Sequence, residues 1–462
     1  MMFFKLEKLV FLALIFSLPF QKRSFLFGPD EFFEWSSGFL YFTDFLVFLL
    51  FIFWLKTAYP CLVGRQAKLN FELRHEEAFV PGFFLLALAG FAFVSLSQAE
   101  LVDVGVYRFL KLVEFVFLFF YVATRVQHLG IKLALWAFIG SGVFQSILAV
   151  LQFARQSSLG LEIFHESTLE LGMKGVAQIN AHGVDMIRAY GTFPSPNVLA
   201  GFLGLCLIFV FYLWVERENG AKRHAELLLK GTLAAAVFIL SFGFLLTFSR
   251  GTVIFFTLAA IVFFAGLFLL KGFEFHRKTA IRLLLIVVSC ELLVVTLAWP
   301  EVSSRFLDSS IDEPAIQERF FFNEVGLNTM SHDYSHMLFG IGMGNFVNNF
   351  MHSMPGLPDY LYQPVHNIFI LIASETGTLG LFAFILFIAI LIDRAVKNFF
   401  SGSIQNFNDR GNFVYIYTLL CVAIFMMLIS MYDHYFWTLQ QGSLLFWIVL
   451  GLVAAAKGEY KV

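Results

Sequence analysis

The chain has 462 residues, 59% of them hydrophobic and only 14% charged, with 63 phenylalanines and a mean hydropathy of +0.78. A water-soluble domain carries about 25% charged residues and needs polar groups to cover its surface, so a soluble globular enzyme and a disordered chain are both excluded. A formal net charge of −2 leaves no basic face for nucleic acid.

A membrane-crossing helix needs about 20 apolar residues. Twelve runs approach or reach that length: 9–20, 38–55, 79–98, 109–124, 131–153, 197–215, 231–248, 252–270, 280–298, 366–391, 412–431 and 437–456. They predict an all-α integral membrane protein of about 12 transmembrane helices. Lys5 and Lys8 before the first run also fit a signal peptide, although no small-residue cleavage pattern lies near Pro19. The topology is the same either way. With the N-terminus inside, 21 of the 31 Lys and Arg fall in inner connections, so both termini are expected in the cytoplasm. The two longest connections, 154–196 and 299–365, then lie on the outer side, the larger between helices 9 and 10. Residues 1–153 form the N-terminal helices and 393–462 the C-terminal ones.

The inner loops are short and basic, without a glycine-rich phosphate loop, which argues against nucleotide chemistry. Cys61, Cys206, Cys290 and Cys421 all avoid the outer loops, so no disulfide framework is implied, and no Cys and His have zinc-ligand spacing. No metal or other cofactor is expected. In the larger outer loop, Glu313 to Met330 reads as an amphipathic helix with Ile316, Phe320, Val325 and Leu327 among its apolar positions. It suits a place along the membrane surface beside a lipid-borne substrate, or simple packing on the tips of the spans.

Three outer clusters carry the polar chemistry. Arg188 to Asn197 runs into the sixth span; Pro194 and Pro196 favour an extended approach, and Asn197 is a good N-cap. Arg188 then sits at a helix N-terminus, where anions are favoured, or merely anchors the chain near headgroups. Thr247-Phe248-Ser249-Arg250-Gly251 forms the tip between the seventh and eighth spans. An arginine kept there against the charge bias needs an anionic partner: a substrate, a lipid phosphate or a structural carboxylate. His366-Asn367 opens the tenth span, and at 100° per residue Ile370, Ala373, Gly377 and Gly380 return to the face of His366. Those small residues allow close helix approach, and an imidazole at that position can titrate near neutral pH. A plain structural hydrogen bond is the alternative role. Glu375, nine residues on, points to the opposite face. Phe339 to Phe346 is glycine-rich enough for tight turns, with no strand-helix unit that would make it a dinucleotide site.

Together these elements resemble the O-antigen ligase and polymerase superfamily of bacterial envelope glycosyltransferases. The resemblance rests on His366-Asn367 with Gly377 and Gly380; on Arg188, Gly191, Thr192, Phe193, Pro196 and Asn197; on Ser249, Arg250 and Gly251; and on Gly342, Gly344, Asn345 and Phe346. It covers residues 185–392 and specifies a superfamily rather than a member. The resemblance implies transfer of a glycan from undecaprenyl diphosphate to an acceptor at the periplasmic face of the inner membrane. The acceptor is lipid A–core for a ligase, or another carrier-linked repeat unit for a polymerase. It also implies a metal-independent, inverting reaction without nucleotide. Arg188 and Arg250 become the diphosphate ligands and His366 the base or a further phosphate ligand. Asn197, Ser249, Gly342, Asn345, Asn367, Gly377 and Gly380 support them. A transporter would place more ionisable groups at mid-span than Glu114 and Glu291. A membrane scaffold would not need arginines on two long outer loops.

Overall fold

In the computed structural model, described for residues 2–63, 65–181, 183–216, 223–307, 314–401 and 409–456, a helix occupies each of the twelve apolar runs. These are α1 (Met2–Ser17), α2 (Phe42–Val63), α3 (Arg65–Ser95), α4 (Val102–Leu129), α5 (Ile131–Arg155), α6 (Pro196–Val215), α7 (Arg223–Leu245), α8 (Arg250–Leu269) and α9 (Arg277–Leu297), then, after four intervening helices, α14 (Ile368–Ser401), α15 (Asp409–Ser430) and α17 (Gln440–Ala455). The four are α10 (Trp299–Phe306), α11 (Pro314–Ser331), α12 (Tyr334–Phe339) and α13 (Phe346–Ser353), and α16 (Tyr435–Thr438) is a single turn before α17. Among the described residues, eight helices are long and apolar enough to cross a membrane. The chain is therefore an all-α, multi-pass membrane protein, but the expected count of twelve crossings is not established. α1 and α17 have 16 residues each, and α4 carries Arg108, Lys111, Glu114 and Arg125. Two short antiparallel hairpins, Arg23–Phe27 with Gly38–Tyr41 and Gln178–Ala181 with Val184–Ile187, went unpredicted. Each is held by only a few residues inside loops.

α6 is the axis of the bundle. It is buried over its whole length and packs against α5, α7, α8, α9 and α15, while α3, α4, α14 and α17 pack together beside it. Since lipid is as apolar as leucine, such helices associate through close fit rather than burial from water. Gly204 shows the scale: a Cβ there would lie 2.7 Å from the Phe425 ring.

Two local expectations are corrected. The N-cap of α6 is Ser195, whose hydroxyl accepts from the Asn197 N–H at 3.2 Å, with Pro196 as the first helical residue. Pro at that position loses nothing, because its missing N–H would have no helical partner, and the Asn197 side chain is released for other contacts. α14 is also not one regular helix. Gly377 has φ 74° and ψ 175°, so helical periodicity cannot carry the face of His366 down to Gly377 and Gly380. The break frees the carbonyls of Ser374 and Glu375, which accept from Ile341 and Gly342 at 2.9 and 3.2 Å. A Cβ on Gly377 would lie 2.0 Å from the Leu338 carbonyl oxygen. Gly377→Ala is expected to destabilise by about 2 kcal/mol or more, seen as a lower thermal midpoint of the purified protein.

α11 lies one residue from its predicted position, but its apolar residues do not form one face. Phe322 and Val325 are buried against α14 and the loop before it, whereas Phe320 and Leu327 are exposed. The buried side packs on α12 and α14. Gly326 lets the Ser374 hydroxyl reach its carbonyl at 3.0 Å, so the small-residue stripe near His366 does receive a helix. Below the break, Gly380 faces Phe91 of α3.

Candidate functional site

The alternation of antiparallel helices brings the start of α6, α8 and α14 and the end of α7 and α15 to one end of the bundle. Both long loops meet there. The Ala189 N–H donates to the Leu246 carbonyl at 3.0 Å, and the Ser304 hydroxyl donates to the Asn180 carbonyl.

Arg188 is buried at this end. Its Nε donates to the Thr247 carbonyl at 2.7 Å and its Nη2 to Asn197 Oδ1 at 2.9 Å. Asn197 Oδ1 also accepts from the Ser249 hydroxyl at 2.9 Å, and Asn197 Nδ2 donates to Asp433 Oδ2 at 3.4 Å. The amide thus joins an arginine, a serine and a carboxylate contributed by three distant parts of the chain. Arg250 is the first residue of α8. Burial, together with the charges of Arg305, Arg319 and Arg250, lowers the pKa of Arg188 to about 9. Four guanidinium groups therefore share one neighbourhood. Like charges gather at such cost mainly where an anion compensates them.

His366 lies just before α14. Asn367 caps that helix, its Oδ1 accepting from the Phe369 N–H at 2.9 Å and the Ile370 N–H at 3.3 Å. The His366 ring stacks on Phe322 with centroids 5.2 Å apart and meets the His434 ring edge-on at 5.0 Å. Burial and then the His434 charge push its pKa down to about 3; Asp433 opposes them, and Arg319 adds a smaller push downward. This corrects the expectation of titration near neutral pH. Asp433 is buried too, which favours its neutral form, but His434, His366 and Arg319 hold it below the usual carboxylate range. Burial likewise lowers His434, whose Nδ1 lies 2.6 Å from the Thr438 hydroxyl.

The structure therefore joins Arg188, Asn197 and Ser249 directly by hydrogen bonds, and links Arg250 and His366 to them through shared electrostatics. Gly342 and Asn345 do something else. Asn345 Oδ1 accepts from the Leu101 N–H at 2.7 Å, and a Cβ on Gly342 would lie 2.6 Å from Ala99 Cα. Both fasten the glycine-rich loop to the turn between α3 and α4, and Gly377 and Gly380 shape α14.

Sequence reasoning missed Arg319, Arg305, Asp433 and His434. Arg319 lies over the Tyr432 ring, 4.2 Å from its centroid, and donates to the Tyr432 carbonyl at 3.4 Å. A signal existed: residues 319, 322, 323 and 326 share one helical face, which places Arg319 beside the phenylalanine that stacks on His366. Asp433 and His434 fall between two apolar runs on the predicted outer side, where an acid and an imidazole together merited notice. Of the mid-span carboxylates, Glu114 is paired with Lys111 at 3.2 Å. His332, Asp333 and His336 are the one group among the described residues whose ligand atoms lie within 4.8 Å of one another. Asp333 there caps α12, accepting from the His336 N–H at 2.9 Å.

Residues 234–385 match the family model described as O-antigen ligase. The match supports the resemblance drawn from the motifs, and with it an O-antigen ligase- or polymerase-type membrane enzyme. It takes in Ser249, Arg250, Arg319 and His366, and leaves Arg188 and Asn197 before it and Asp433 and His434 after it. No curated protein matches the chain.

Proposed function

From the O-antigen ligase segment at residues 234–385, we propose that this membrane enzyme moves a glycan from undecaprenyl diphosphate to lipid A–core at the periplasmic face of the inner membrane. The observation that carries the reading is the gathering of Arg188, Arg250 and Arg319 around the Asn197–Asp433 contact, with His366 beside it. Guanidinium forks suit diphosphate oxygens, and their fixed charge is worth most where negative charge grows on the leaving group.

The acceptor hydroxyl attacks the anomeric carbon as the bond from that carbon to the diphosphate oxygen breaks. One displacement inverts the centre. The carrier diphosphate leaves with the electron pair, held by the arginines, which supply the positive charge that a metal ion provides elsewhere. The hydroxyl proton passes to His366. Its low pKa keeps the imidazole neutral, and the arriving diphosphate offsets the Arg319 charge, which adds to burial and His434 in depressing its basicity. The ionised Asp433 then stabilises the imidazolium.

Deletion of the gene tests the substrates. Long chains retained on the carrier and missing from lipid A–core are expected. Core bearing single repeat units indicates a polymerase, and an unchanged glycolipid profile ends the proposal. A reporter fused within residues 299–365 is expected to read periplasmic; a cytoplasmic signal there places the arginines on the wrong side.

A further inference from the structure

The corner between α11 and α12 holds a cluster that the mechanism above does not use. α11 ends at Ser331 and α12 begins at Tyr334, so His332 and Asp333 make the corner and His336 follows in the first turn of α12. The ligand atoms of these three residues all lie within 4.8 Å of one another. Ser331 stands about 18 Å along α11 from Arg319 at the helical rise, which sets the cluster apart from the arginine end of that helix.

The two carboxylate oxygens of Asp333 have different tasks. Oδ1 caps α12 by accepting from the His336 N–H at 2.9 Å. Oδ2 lies 2.7 Å from His336 Nδ1 and 3.5 Å from His332 Nδ1, with the two imidazole rings 5.9 Å apart. Capping accounts for Oδ1 but calls for no imidazole, and it leaves the convergence on Oδ2 unexplained. His336 Nδ1 is moreover shielded from solvent and makes no hydrogen bond, even at that short distance from the carboxylate. A shielded nitrogen without a hydrogen bond is costly.

A bound cation accounts for both observations. Tetrahedral Zn²⁺, with bonds of about 2.0–2.1 Å, keeps its ligand atoms roughly 3.3 Å apart. The two distances to Oδ2 fall on either side of that spacing. Two imidazole nitrogens with one carboxylate oxygen suit Zn²⁺ and its transition-metal neighbours, whereas Mg²⁺ and Ca²⁺ prefer oxygen alone. Three protein ligands leave a fourth position for water.

We propose that His332, Asp333 and His336 bind a divalent transition-metal ion, Zn²⁺ by the preference of these donors, and that the ion ties α11 to α12. α12 packs on α14, and Gly340 directly after it lies against the Glu375 backbone, so the ion fastens α11 to the part of the fold that surrounds the break in α14. Its role is structural and it takes no part in transfer. The site stands or falls independently of the glycosyl-transfer reading.

The test uses the full-length protein in lipid nanodiscs, purified without a polyhistidine tag, stripped with a chelator and titrated with Zn²⁺. Zn²⁺ binding that Mg²⁺ does not displace is expected. His332→Ala and His336→Ala are each expected to weaken it at least about 10-fold, since loss of even an outer-shell partner costs that much. Asp333→Asn keeps an oxygen for the cap but loses the charge, and weakens binding as well. Zn²⁺ is expected to slow amide hydrogen exchange across residues 327–339 in the wild type and not in the histidine variants. No Zn²⁺ binding by the wild type, or equal binding by the wild type and the histidine variants, overturns the assignment. The His332 side chain is 78% exposed, so His332→Ala leaves the packing intact and decides the matter if His336→Ala does not accumulate.

Discussion

Arg319→Lys is expected to lower transfer about 10²- to 10³-fold, the cost of removing one preorganised donor from a developing charge, while the protein inserts and accumulates normally. Arg319 is half-buried on α11, and its guanidinium is oriented by the face and carbonyl of Tyr432. Its charge is felt by Arg188, His366 and Asp433. Lysine keeps the charge but loses the planar fork and much of the stacking. Arg250→Lys is expected to behave alike. Arg188→Lys should cost thermal stability as well, because one ammonium cannot replace the two bonds to Thr247 and Asn197 in their present geometry. The measurement is transfer from a carrier-linked donor, normalised to protein recovered from the membrane. Near-wild-type transfer by all three variants would make these arginines structural anchors.

His366→Gln is expected to lower transfer by about 10²- to 10⁴-fold, the range for losing a general base. Glutamine keeps hydrogen-bonding capacity but takes no proton in this range. The pH profile gives a second, independent check. With its pKa near 3, His366 is already neutral throughout an assay from about pH 5.5 to 8. A base role therefore predicts a flat kcat/KM there. Arg188 is cationic below its lowered pKa of about 9, so diphosphate binding is present at neutral pH and weakens as pH rises through that value. A cationic phosphate ligand at His366 would instead make kcat/KM rise as pH falls through the ordinary histidine range near 6.5. That outcome, or a glutamine variant with nearly full activity, would rule out the base role.

Some of this was readable before any fold. Apolar runs of sufficient length require helices, because backbone polar groups have no water to bond in hydrocarbon. The chain order of Arg188, Arg250 and His366 with their neighbouring glycines and asparagines was equally plain. Periodicity failed where the backbone itself departs from the helix, at Gly377, and where α11 presents apolar residues on two sides. The Asn197 side chain illustrates a subtler miss. As a cap it would have been a local matter, but with Ser195 in that role it bridges Arg188, Ser249 and Asp433 instead.

The sequence by itself determined the all-α membrane class and the positions of the long helices, since each of these depends on composition or on spacing within a few turns. The tertiary structure alone decided which charges share a site. Arg319, Asp433 and His434 come from segments far apart in the chain, and the pKa values of Arg188 and His366 are set by how closely those segments pack. Coulomb energies vary with distance and local dielectric, and neither quantity is written in the order of the residues. Trp35, Arg108, Glu375 and Trp437, which line one pocket, likewise become neighbours only when α4, α14 and the start of α17 close together.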